Sequence, residues 1–420
     1  MTRFFYGYWI VLAGFVTLTL SSGLTYYGFS VMNTSVANEF GWSRGEVTLG
    51  FTCFAVAMAV TSPLVGRLTD KRGPRQVLII GTIVLAISLI LLSRISSLWS
   101  YCLLNWGLGM AMTILGAVPI SVIVSNWFHR RRGTMQGLSF IGFGFGGFAF
   151  GPLIGNYLIP NLGWRNTYAV MALLSAVIMT LVILFLVRNH PRDKGLSPYG
   201  AEATGMADDH KPEVEKTSGL SQKEALGMSA FWLISLTAAV YGMGLTGGLQ
   251  NLVSILSTKP EFTAGDAAFA VGIVGLSSAA GKFVFGYLCD RIDPKYTTAA
   301  AYAFTGLSLT VLTLAHSMYH LWLYGIVLGL GMGGWAPNTA TLAANYFGMK
   351  QYGSILGTIH LIFMLGEAVG PAVVGRVYDQ AGTYHPILIT ISILCAAAIP
   401  LIIIIRKPVL SFAGKNAPRS

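Results

Sequence analysis

Gly66-Arg-Leu-Thr-Asp70-Lys-Arg-Gly73-Pro-Arg75 is a short charged loop set between long apolar runs, and 220 residues later the chain repeats it as Gly286-Tyr-Leu-Cys-Asp290-Arg-Ile-Asp293-Pro-Lys295. Two further pairs keep nearly that spacing: Asn126-Trp-Phe128 answers Asn345-Tyr-Phe347, and Gly151-Pro152 answers Gly370-Pro371, both at 219. Landmarks that recur in one order at one offset mean that the chain holds two copies of one unit, which fixes architecture more firmly than an isolated motif. One short gap reconciles the two spacings. The residue types suit a turn between packed helices: glycine lets backbones approach, and the aspartate is placed to pair with an arginine or to cap a neighbouring helix N-terminus.

Around these loops, 54% of the 420 residues are hydrophobic and 10% are charged, against roughly a quarter charged in a soluble domain. A helix needs about 20 mostly apolar residues to cross a bilayer, and such runs fill the chain. The pattern predicts six spans near 8–36, 46–66, 76–94, 98–126, 134–158 and 166–187, and six more near 229–256, 265–287, 297–316, 321–344, 354–375 and 385–405. The expected fold is an all-α membrane protein of 12 transmembrane helices in two pseudo-symmetric six-helix bundles, 1–187 and 229–406. Residues 188–228 form a cytoplasmic linker and 407–420 a cytoplasmic tail. Ser221-Gln-Lys-Glu224 has capping-box spacing and predicts a short surface helix before Phe231-Trp232. The first apolar run, from Tyr8, is too long for a signal-peptide core and reads as a retained helix.

The formal charge of +11 is spread over short loops, which argues against nucleic acid and for membrane topology. With both termini on one side, 21 Lys and Arg fall there and five on the other, so the termini are expected in the cytoplasm. Cys53, Cys102, Cys289 and Cys395 are far apart in sequence, without metal-ligand or disulfide spacing, and read as inert core residues. Gly329-Leu-Gly-Met-Gly-Gly334 lies inside an apolar helix rather than a nucleotide-binding turn, and no Walker A sequence is present. Intramembrane His, Asp, Glu and Cys are too scattered for an enzyme's cluster. The linker and tail are too short for a receptor's appended signalling domain. No cofactor or metal is expected.

Ionisable groups inside spans are functional hypotheses by default. Lys282 stands eight residues before Asp290, roughly 12 Å inward of the loop along a helix; its alternative is a lysine snorkelling toward the cytoplasm. Glu367 and His360 are seven residues apart on one helix face. Glu367 suits proton carriage, because apolar burial favours a neutral carboxyl, or else a structural hydrogen bond. His360 is a candidate pH-responsive donor or a satisfied core imidazole.

The repeated loop resembles the signature G-x-L-x-D-R-x-G-x-R of the major facilitator superfamily, with Lys71 in place of the family arginine and with Ile292 and Asp293 departing from the second copy. A finer resemblance, to the monocarboxylate porter and oxalate:formate antiporter branch, rests on Tyr6-Gly-Tyr-Trp9, Phe40-Gly-Trp-Ser-Arg44, Phe231-Trp-Leu233 and Lys282. The resemblance implies that Gly66, Asp70, Arg75, Gly286 and Asp290 gate one alternating-access state. It also implies that spans one, four, seven and ten line a central cavity. That places Tyr27 and Asn33, with Tyr26, Ser30 and Asn105 beside them, and Gln250, Asn251 and Asn338 among the candidates for holding substrate, and His360 of span eleven joins them as a donor to a carboxylate. Related porters carry an arginine at the Lys282 position to grasp the anion, and some have an aspartate where this chain has Ser278. The implied activity is symport of a small monocarboxylate (lactate, pyruvate or formate-like) with a proton through alternating access. Anion exchange of the oxalate:formate type and drug efflux are the alternatives. The implied partners are a small organic anion, a proton and the lipid bilayer, for a monomer in a bacterial plasma membrane.

Overall fold

The computed structural model describes residues 5–200 and 219–406, save the side chains at 30, 44, 45, 264 and 268. The tail expected at 407–420, the middle of the expected linker, and Ser30's side chain lie outside the described residues. The first copy of the repeat contains α1 (Gly7–Ser22), α2 (Gly28–Phe40), α3 (Arg44–Arg72), α4 (Pro74–Leu92), α5 (Leu98–Ile114), α6 (Ala117–Trp127), α7 (Arg132–Pro152) and α8 (Ile159–Leu186). A short α9 (Gln222–Leu226) precedes the second copy: α10 (Ser229–Gln250), α11 (Leu252–Ser257), α12 (Ala264–Cys289), α13 (Pro294–Thr313), α14 (Met318–Phe347), α15 (Tyr352–Ala381) and α16 (His385–Ile404).

Several predicted spans prove to be two helices joined by a kink, each with a local cause. Between α1 and α2 the residues Gly23–Tyr27 make a π-helical turn, a feature that redirects side chains and often marks functional sites. Gly116 breaks the fourth predicted span with ψ −147°, and Asn251, at φ −95° and ψ 5°, breaks the seventh. The described residues contain nine stretches long and apolar enough to cross a membrane, one of them the 55 residues Arg132–Leu186. That length is more than one crossing, and the turn falls at Gly163, where φ is +73° and ψ 160°. The threonine-rich α13 and glycine-rich α14 are not among the nine.

The buried apolar side chains gather into two main clusters. One runs from Ile10 to Val187; the other runs from Ala225 to Ile405 and takes in Val118 and Val122 of α6. Between them the halves meet mainly through α3 on α15 and α7 on α12. The capping box before α9 forms, with Ser221 Oγ accepting from Glu224 N–H and the Glu224 carboxylate accepting from Ser221 N–H. Those contacts hold the Glu224 carboxyl below the usual carboxylate range. Cys53 and Cys102, distant in sequence, are brought within electrostatic reach of each other from α3 and α5. Both are half-buried, whereas Cys289 and Cys395 are buried, and all four are free.

Candidate functional site

The repeated loops cap each other's bundles across two seams. Gly353 and Ser354 open α15, and their N–H groups donate to the Asp70 carboxylate at 2.8 and 2.7 Å, joined by the Ser354 hydroxyl at 2.6 Å. Gly133 and Thr134 open α7 and do the same to Asp290 at 2.7 and 2.8 Å, with the Thr134 hydroxyl at 2.5 Å. The first amides of a helix have no partner within it, and an anion there meets the positive end of the helix dipole. Each carboxylate therefore holds the opposite bundle's helix. The partners obey the repeat, since 133 and 134 become 353 and 354 at the offset of 220 that turns Asp70 into Asp290.

Glycines let the seams close. A Cβ at Gly66 would stand 2.1 Å from the Gly353 oxygen, and one at Gly286 would stand 2.5 Å from the Gly133 oxygen. Further in, Ser62 Oγ donates 3.0 Å to the Gly357 oxygen across the α3–α15 seam. At the equivalent place of the other seam stands Lys282, whose carbonyl oxygen lies 2.2 Å from where a Gly137 Cβ would sit. Arg75, expected in the gate, instead ties its own bundle together. Its N–H donates to Asn189 Oδ1 at 2.9 Å and its guanidinium to the Leu184 oxygen at 3.0 Å.

Lys282 is 7% exposed. Its ammonium donates 3.3 Å to Ser278 Oγ on its own helix and lies 5.7 Å over the ring of Phe143 in the opposite bundle. Among the described residues no carboxylate is within ion-pair distance of it. The side chain thus points across the seam into the other bundle, and the snorkelling alternative does not describe it. Phe143 in turn packs against Tyr26 at 5.9 Å and Tyr27 at 6.1 Å, the two tyrosines that the π turn presents. Tyr26 is in electrostatic reach of Gln250 and Glu367, both from the second bundle. Contacts therefore run from the Lys282 ammonium through Phe143 to Tyr26 and Tyr27 in the first bundle, and the Glu367 carboxyl of the second bundle lies within electrostatic reach of Tyr26.

Glu367 is half-buried, with its Cγ 3.1 Å from where a Gly242 Cβ would sit, and no described cation pairs with it. His360, 8% exposed, lies beside Trp335 at 5.6 Å. Trp335 stacks on Phe363 at 3.8 Å and faces Tyr241 at 5.7 Å. Lys282 and Tyr27 thus meet at Phe143, while His360 reaches Tyr241 through Trp335 and Glu367 packs at Gly242, the residue after Tyr241.

The remaining candidates are engaged elsewhere. Asn33 Oδ1 accepts from the Tyr101 hydroxyl at 2.7 Å. Asn105 donates 2.9 Å to the Tyr101 oxygen. Asn251 donates to the Gly247 and Pro371 oxygens at 3.0 and 3.3 Å, bracing the helix break. Asn338, 1% exposed, accepts from the Cys289 thiol at 2.9 Å inside its own bundle. Sequence reasoning missed the cap partners and the aromatic residues Phe143 and Trp335. Gly133-Thr134 and Gly353-Ser354 were readable as another pair at the repeat offset. The two aromatics carry no such signal.

Comparison with known proteins agrees with this architecture. The chain is 24% identical over 385 residues to Monocarboxylate transporter 13 of Rattus norvegicus, covering 90% of this chain and 84% of that one. It is 24% identical over 332 residues to an MFS-type transporter of Gibberella moniliformis (strain M3125 / FGSC 7600), covering 77% and 73%. In structure it resembles the E. coli fucose:proton symporter, with a TM-score of 0.72 at 14% identity, covering 95% of this chain and 98% of that one. The family model described as Major Facilitator Superfamily matches residues 15–262 and 251–418. With a family match over nearly its whole length and two bundles locked by repeated aspartate caps, the chain belongs to the Major Facilitator Superfamily, a multi-pass membrane transporter rather than an enzyme.

Proposed function

We propose that the chain makes twelve crossings and is a secondary carrier for a small organic monocarboxylate, moved together with a proton by rocking of the two bundles, residues 1–187 and 229–406. One observation carries the reading: a buried ammonium, Lys282, faces the opposite bundle with no described carboxylate beside it. A charge at membrane depth costs about 2.5–3.5 kcal/mol on insertion scales. A carboxylate bound at Lys282 offsets that cost and draws the α7 and α12 walls together. Lysine is a compact point charge rather than a bidentate fork, which suits one carboxylate better than a rigid dicarboxylate clamp. In this reading Tyr27, Gln250 and His360 contact the body of the substrate. Glu367, without a cation partner, takes the proton.

The Asp70 and Asp290 locks gather at the loop-rich face, which the distribution of Lys and Arg assigns to the cytoplasm together with both termini. In this reading the structure is closed on the cytoplasmic side.

Purified protein in liposomes should take up radiolabelled lactate, pyruvate or formate under an inwardly directed proton gradient. Lys282→Ala should lower that uptake at least about tenfold, the loss expected for a hydrogen bond to a charged group, and Lys282→Arg should retain part of it. Uptake by Lys282→Ala at the parental rate would overturn the carboxylate assignment. Counterflow indifferent to pH would favour the organic-anion exchanger instead.

A further inference from the structure

The Asp70 seam carries a second cross-bundle link that lies outside the repeated loop. The α9 helix is fixed to the second bundle: Ala225 is fully buried, Leu220 N–H donates 2.8 Å to the Phe347 oxygen, and Gln222 N–H donates 2.6 Å to Gln351 Oε1. From that base the Gln222 side chain reaches both ways. Its Nε2 donates 2.9 Å to Thr358 Oγ1 on α15, and its Oε1 accepts from Arg67 Nε of α3 at 3.1 Å. Arg67 belongs to the first signature loop, three residues before Asp70. Gln222 therefore bridges the two bundles beside the Asp70 cap.

The other seam is built differently. The residue equivalent to Arg67 is Tyr287, whose ring is covered by the guanidinium of Arg291, four residues on, at 4.9 Å. At its other end the described linker is tied to the first bundle, where Tyr199 N–H donates 2.9 Å to the Trp127 oxygen and His129 and Arg130 N–H groups donate to the Tyr199 oxygen. The described ends of the segment joining the bundles are thus each anchored to one bundle, and among the described residues Gln222 reaches back across the seam.

We propose that Gln222 is a strap on the loop-face gate, so that the linker, and not the signature loops alone, sets the balance between the closed state seen here and a state open at that face. The inference rests on the alternating-access reading but is independent of the substrate, because its readout is a distance measured without ligand. The gating equilibrium responds to Gln222 because the Arg67 link exists only while the seam is closed. The Gln351 and Phe347 links, which use the main-chain N–H groups of Gln222 and Leu220, stay with the second bundle in either state.

The test uses the full chain in lipid nanodiscs, with its four cysteines replaced by alanine and nitroxide labels at Lys71→Cys and Arg291→Cys. These two exposed sites lie on opposite bundles at the loop face, and their separation is read by pulsed electron paramagnetic resonance. Gln222→Ala should raise the ratio of long to short distances about fivefold, the factor given by a net hydrogen-bond contribution of ordinary size. Thr358→Val should move it in the same direction. Gln222→Glu, which keeps an acceptor for Arg67, should move it less. An unchanged distribution in both Gln222→Ala and Thr358→Val overturns the proposal, as does an equal shift in Gln222→Glu and Gln222→Ala. Should Gln222→Ala fail to fold, Thr358→Val and Gln222→Glu decide the matter by the same criteria.

Discussion

Single residues divide the work between holding and carrying. Asp70 and Asp290 each accept three hydrogen bonds at a helix start, so their charge is fully used in holding the seams. Lys282 and Glu367 have no described ion-pair partner, so their charge remains for ligands. If Glu367 carries the proton, Glu367→Gln should abolish accumulation driven by a pH gradient while sparing exchange of labelled for unlabelled carboxylate at equal pH. Loss of both activities, or of neither, would remove Glu367 from that role. Both aspartates were legible in the sequence because the loop is repeated around them, as was Lys282 because a lone charge stands out in an apolar run. The helices they hold were not, since Asp70 and Gly353 are 283 residues apart and composition carries no trace of such a contact. The asparagines misled for a related reason. Asn33 and Asn251 are polar in apolar helices, but an unsatisfied amide in that setting is costly, and each finds a partner on a neighbouring helix; Asn338 accepts from the Cys289 thiol on its Oδ1, while its Nδ2 is buried without a partner.

At the scale of elements, the positions of the apolar runs were readable and their interruptions were not. The π turn at Gly23–Tyr27 brings Tyr26 and Tyr27 side by side with ring centroids 5.4 Å apart and both against Phe143. An apolar period cannot reveal one extra residue in a helical turn. Gly163 was expected to lie in a short connection between spans, and it does, at a backbone conformation open only to glycine. Nothing stands within 4 Å of a Cβ built there. Gly163→Ala should therefore act through backbone strain alone, lowering stability by about 1–3 kcal/mol. A thermal melt of the purified protein checks this, and an unchanged midpoint would show that the turn relaxes freely.

Across the whole molecule, the duplication makes two locks that act on one equilibrium. If the bundles rock as rigid bodies, Asp70→Asn and Asp290→Asn should each raise the open-to-closed ratio at the loop face, by an amount corresponding to about 0.5–2 kcal/mol per helix cap. In the double variant the two factors should multiply, as independent sites do. A double variant no more open than either single one would mean that the seams open in sequence. The two-bundle plan followed from the 220-residue offset, and the all-helical fold shared with the fucose:proton symporter agrees with it. The substrate does not follow from the fold, because related folds serve many cargoes, and so its assignment returns to one side chain.

That side chain breaks the molecule's symmetry. Ser62 and Lys282 hold matching positions in the two copies, the first donating to a carbonyl of the facing helix and the second placing an ammonium over an aromatic ring. An anion between the bundles would therefore meet an ammonium on one wall and a hydroxyl at the matching place of the other. If the cargo is an anion, this difference between the copies gives the twofold hinge a preferred side, and the helix pair that carries Lys282 registers its arrival.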